Sequence, residues 1–215
     1  MMDFVFEFLK PLKIIVLLTF LFAVTILQWR NTTHRYVLKI LAVCILTELI
    51  NSALIVNAKS IVLCYTLSII IHHSLWLSLL SRFVTFPKTA YLFFLGFIGF
   101  AIVNLFFIEG TDKFNYFTFV AGAFLYIGLF IYESFSQLKK ENFPFFLSND
   151  YLLLLAPVFF FFGLSFMFGF KSKEITSFLI FGDVKLYTFI AYFVNIVYYT
   201  LLNIYIYREK RLQHV

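Results

Sequence analysis

Charge is what this chain has least of. Asp, Glu, Lys and Arg supply 13% of its 215 residues, against about 25% in ordinary soluble domains. Hydrophobic residues supply 62%, and the mean hydropathy is +0.94. That much apolar surface exceeds what one soluble core of this size buries, so lipid is the expected solvent for most of it. Cysteine is nearly absent too. Cys44 and Cys64 both fall in apolar runs at different expected depths, which argues against a disulfide and defines no redox compartment. Walker loops, dinucleotide fingerprints, nucleophile elbows and HExxH spacings are all missing, so no enzyme class and no cofactor is indicated. The last apolar run has no central lysine, which excludes retinal attachment.

The net charge of +6 is spread singly between apolar runs. Such scatter suits topology and loop anchoring and not a phosphate-binding face, so no nucleic-acid partner is expected. The 33 phenylalanines read as filling for lipid-facing positions.

A membrane span needs about 20 mostly apolar residues. Seven segments qualify: 11–29, 36–56, 60–80, 90–108, 115–135, 151–170 and 186–207. Each must be helical, because an open strand leaves backbone groups unpaired in lipid. The first run is long, ends in Gln28-Trp29-Arg30 and lacks a small-residue cleavage site, so it reads as an uncleaved helix. The loops leave no room for a soluble domain. The expected fold is all-α, one membrane domain of seven transmembrane helices. Phe143–Phe146 reads as an interfacial patch before the sixth span.

Basic residues set the expected orientation. One side carries Arg30, Arg35, Lys39, Arg82, Lys88, Lys139, Lys140, Arg208, Lys210 and Arg211. The other carries Lys10, Lys13, Lys59, Lys113, Lys171, Lys173 and Lys185. The bias puts the N-terminus outside and the C-terminus in the cytoplasm, in a bacterial inner membrane.

Ionisable groups inside a span are costly, and each is a functional hypothesis. In "CILTELINS" Glu48 lies mid-span, and Asn51 shares its face. In "SIIIHHSLW" His72 and Trp76 share a face with Tyr65, while His73 points about 100° away on the stripe of Thr66. The short connection between spans two and three makes them antiparallel neighbours. A rise of about 1.5 Å per residue then brings Glu48 and His72 within roughly 6 Å in depth, so a contact between them is expected. Three readings compete: interhelical hydrogen bonding, a ligand pocket or proton-sensitive switch, and a metal or catalytic site built on Glu48, His72 and His73. In "AYFVNIVYYTLLNIY" the residues Asn195, Tyr198 and Tyr199 form a further polar face. It either pairs across helices or lines the same cavity as Glu48 and the histidines, with Asn104 as a candidate addition. Small residues, such as Gly122 and the Ser165/Gly169 pair, mark close helix approaches. Matching interrupted helices in two halves, a transporter hallmark, are not seen, and Pro157 is the only mid-span proline.

Several stretches together resemble a loose group of uncharacterised seven-helix membrane proteins of Bacteroidetes. They are "LTELINSALI" with Glu48, "IIIHHSLW", "KKENFPFFLSNDYLLLLAPVFFFFGLSFMF" and the last span with its basic tail, "LYTFIAYFVNIVYYTLLNIYIYREKR". The resemblance spans most of the chain, and the chain departs from it by carrying His-His where an acidic residue is expected in span three. Proteins of this group are often encoded near two-component regulators. The resemblance therefore implies a sensory or signal-transducing module acting with a cytoplasmic or membrane partner. A small-solute transporter or channel, or a subunit of a larger membrane complex, is the alternative.

Overall fold

The computed structural model describes residues 2–169, 178–182 and 184–212. Lys171, Lys173, Glu174 and Asp183, and the expected span end at Phe170, lie outside the described residues. A short helix α1 (Met2–Phe8) precedes α2 (Pro11–Ile26), α3 (Thr32–Val56), α4 (Val62–Leu80), α5 (Pro87–Val103), α6 (Tyr116–Lys139), α7 (Phe143–Leu147), α8 (Asn149–Gly169) and α9 (Leu186–Leu212). A hairpin of β1 (Leu179–Phe181) and β2 (Val184–Lys185) leads into α9, in a stretch that sequence patterning reads as loop.

Among the described residues six helices, α3, α4, α5 with its extension to Ile108, α6, α8 and α9, are long and apolar enough to cross a membrane. The protein is a multi-pass helical membrane protein. The first expected span is shorter than its apolar run: α2 has 16 residues, about 24 Å at 1.5 Å per residue, against a hydrocarbon core of about 30 Å. It ends where Leu27 turns extended, and Asn31 then caps α3 by accepting from the backbone N–H groups of Thr33 and His34. A cap five residues ahead of the expected span start outranks hydropathy as a helix-start signal. Pro87 likewise starts α5 three residues early, since its fixed φ suits a first helical turn. α5 closes in a π turn over Asn104–Ile108, where the Glu109 N–H reaches the Asn104 carbonyl.

Helix contacts run α2–α3, α3–α4, α4–α6, α6–α8, α8–α9 and α9–α2. They close a ring of six, with α5 packed on α4 and α6. One end of the ring holds the turns after α2, α4 and α6 and the C-terminal tail, and so gathers the more numerous basic group. The core concentrates in that half: Ile40, Leu41, Leu80, Leu153, Leu154 and Tyr205 are all fully buried. Two close approaches need glycine. A Cβ on Gly122 would stand 2.5 Å from the His73 ring, and one on Gly163 would stand 2.2 Å from Val194. Phenylalanine is not confined to the lipid face, since Phe119 and Phe161 are buried around His73.

Candidate functional site

The other half of the ring is not filled. A cavity of about 580 Å³ runs from the end holding the N-terminus and the hairpin to His72 and His73 in mid-bundle, with walls drawn from all six ring helices. Five of the seven candidate residues line it: Glu48 from α3, His72 and His73 from α4, and Asn195 and Tyr199 from α9. Asn51 and Trp76 do not. Aromatic rings, including Tyr65, Phe114, Phe160, Phe168 and Tyr187, form much of the wall.

Glu48 stands near the mouth, and the expected Glu48–His72 contact does not form. Its oxygen lies 3.6 Å from Lys13, whose ammonium also donates to Ser52 (2.8 Å) and Glu7 (3.1 Å). The depth argument places both residues on the cavity wall, but helical phase separates them. Thr47 occupies the α3–α4 seam through a 2.7 Å hydrogen bond with Ser68, and the next residue is turned about 100° from that seam. Asn51, one turn from Thr47, is fully buried with no hydrogen bond of good geometry. Lys13 is a buried ion-pair partner, so it is not a loop anchor of the kind the charge tally assumes. Lys10 pairs with Glu7 at 2.7 Å. This bond holds the Glu7 carboxyl below its usual range, Lys13 adds to the effect, and burial opposes it.

His72 forms the floor. Trp76 Nε1–H donates to His72 Nε2 (3.3 Å) and to the Tyr198 hydroxyl (3.2 Å), and that hydroxyl lies 3.3 Å from the same His72 nitrogen. Trp76 and Tyr198 are fully buried and plug the ring beneath the cavity. His73 diverges as its helical position requires. Its Nδ1–H donates to the Ile69 carbonyl at 3.0 Å, and its ring stacks on Phe161 at 4.3 Å and meets Phe119 edge-on. Its Nε2 is buried without a partner. Among the described residues no group of three His, Cys, Asp or Glu side chains is placed to hold a metal ion.

Asn104 belongs elsewhere. It donates to Glu109, Asn115 and Thr118 at the end of α5, because α5 contributes nothing to the cavity wall. Two polar knots escape notice in the sequence. Buried Glu133 accepts from the Thr85 N–H (2.6 Å) and hydroxyl and from Gln137, fixing the turn before α5. His34, on α3, takes the Gln28 N–H on Nδ1 and donates Nε2–H to Glu209 at 2.9 Å, and Asn149 donates to the other Glu209 oxygen at 2.5 Å. That knot ties α3, α8 and α9 at the basic end. Its members lie at helix ends, where polar residues are ordinary, and only the ring topology brings them together.

Comparison with family models, with curated proteins and with solved structures returned no match to this chain.

Proposed function

We propose that this protein is a sensory membrane module of seven spans, with the N-terminus outside and the basic end in the cytoplasm of a bacterial inner membrane. A small ligand or proton taken up in the cavity would shift helix packing, and the cytoplasmic end would pass the change to a partner. One observation carries the reading: α9 is a single helix that carries Tyr187, Asn195 and Tyr199 on the cavity wall and Arg208, Lys210 and Arg211 at the other end. At 27 residues it is a rod of about 40 Å. In the seven-span form, α2 would cross with its flanking turns, since it packs within the ring against α3 and α9. The resemblance to proteins encoded near two-component regulators points the same way.

A ligand can shift such an equilibrium only by binding one arrangement better than the other. Glu48→Gln and His72→Ala remove the cavity's carboxylate and its floor imidazole. Either should alter amide exchange across Arg208–Leu212 in the full-length protein in nanodiscs. Identical exchange in both variants and the parent sinks the sensory reading.

Transport is the second reading, and the plug of Trp76, Tyr198 and His72 together with the Glu209 knot weighs against it. A polar path would have to open through both, and solute flux into proteoliposomes would reveal it.

A further inference from the structure

The polar groups of the cavity divide by charge. The carboxylate of its wall, Glu48, already meets Lys13. The rest of the polar wall includes His72, Tyr199, Asn195, Thr47 and Ser68, and no other acidic or basic side chain besides the imidazoles lines it. Thr47 and Ser68 satisfy each other. The Asn195 amide donates to the Ala191 carbonyl at 2.8 Å, which leaves its Oδ1 as an acceptor.

His72 is the informative residue. An indole N–H only donates, so His72 Nε2 must accept from Trp76 and the ring is neutral in this arrangement. Nδ1 then carries the proton, and among the described residues it has no acceptor. The floor therefore presents an unused imidazole N–H, with Phe160 5.7 Å from the His72 ring and Tyr199 on the same cavity wall. A carboxylate or phosphate head beside His72 would lose its hydration against a wall that carries a carboxylate and no lysine or arginine. A neutral flat ring bearing a carbonyl would accept from His72, stack among the aromatic walls and leave its apolar remainder along Phe114 and Phe168.

We propose that the cavity binds a neutral, lipid-soluble carbonyl compound of quinone type, with its carbonyl oxygen on the His72 imidazole. This rests on the reading of the cavity as a ligand site, and the test separates the two. Trp29→Phe leaves Trp76 as the only tryptophan, fully buried and bonded to His72. In that full-length background, in nanodiscs, menadione is titrated against Trp76 emission, with 11-bromoundecanoate as an anionic quencher of similar bulk. Saturable quenching by menadione is expected. His72→Phe should weaken it about tenfold, as loss of one good hydrogen bond does, and Tyr199→Phe serves as a second, milder variant. Ala191→Phe, which fills the cavity, should leave only linear, collisional quenching. Saturable quenching by bromoundecanoate alone, lost in Ala191→Phe, overturns the ligand class and keeps the ligand site. Quenching by both probes that is the same in the parent and in Ala191→Phe overturns both. Menadione binding unaffected by His72→Phe and Tyr199→Phe overturns the assigned contact.

Discussion

The two halves of the helix ring are built from the same kinds of residue and end differently. In the basic half, apolar side chains fill the inside of the ring, and the polar groups of His34, Glu209 and Asn149 engage one another. In the other half the aromatic side chains stand back from the axis and leave a cavity of about 580 Å³ whose imidazole, carboxylate and amide groups keep spare bonding capacity. The contrast teaches that one half closes the ring by packing while the other keeps open space inside it. Folded interiors are close-packed, so a cavity this large at the convergence of six helices is a property of this end and not of the bundle.

Over-packing should break the contrast most sharply. Ala156 is fully buried, and Ala156→Phe should destabilise by about 3 kcal/mol in detergent thermal unfolding, whereas Ala191→Phe, which enters the cavity, should stay within about 1 kcal/mol. Equal losses would mean that the cavity is not spare volume. Cutting the closed end comes next. Glu209→Ala strands the His34 N–H and leaves the Asn149 amide only its bond to the Tyr205 carbonyl, for about 1–3 kcal/mol, while Glu48→Gln, in a site open to the cavity, should change unfolding by less than about 1 kcal/mol. Gly122→Ala should cost about 1 kcal/mol or more through the His73 ring. Gly96→Ala, which meets nothing within 4 Å, should be neutral or stabilising by about 0.5–1 kcal/mol, because alanine suits a helix interior. The smallest effect concerns pH at the mouth. The folded Glu7 carboxyl is held low, so its contribution is present above the unfolded carboxylate range and disappears as pH falls through the folded value. Proteolysis of α1 should therefore speed up below about pH 4, and Glu7→Gln should remove the pH dependence.

How much of this was legible beforehand differs from element to element. Hydropathy located the long helices to within a few residues, but it missed the cap at Asn31 and the proline start at Pro87 and lengthened the first run beyond the helix that forms. Buried polarity pointed to Glu48, His72, His73, Asn195 and Tyr199, and the structure gathers these five around one cavity. The same reasoning placed Glu48 against His72, Asn51 and Trp76 at the site and Asn104 near it. The Glu48–His72 contact does not form, because depth along a helix follows from counting residues whereas rotation about its axis depends on which neighbours are present; Asn51 lies off the cavity wall, Trp76 lies beneath it on the His72 face, and Asn104 lies at the end of α5. Lys13 and the knots around Glu133 and Glu209 were invisible for a related reason, since charges near helix ends look like solvated anchors until a partner is brought to them.

The sequence by itself determined a helical membrane protein: long apolar runs in lipid leave the backbone little choice but to satisfy its own hydrogen bonds. It also marked which polar residues would be expensive to bury. Only the tertiary structure decided that α2, α3, α4, α6, α8 and α9 close into a ring, that α5 packs against it, that one half of the ring's interior fills and the other does not, and that His72 Nε2 meets Trp76 and Tyr198. These depend on helix phase and on side chains meeting across the ring. Such contacts join residues as far apart as His34 and Glu209, which no local pattern records.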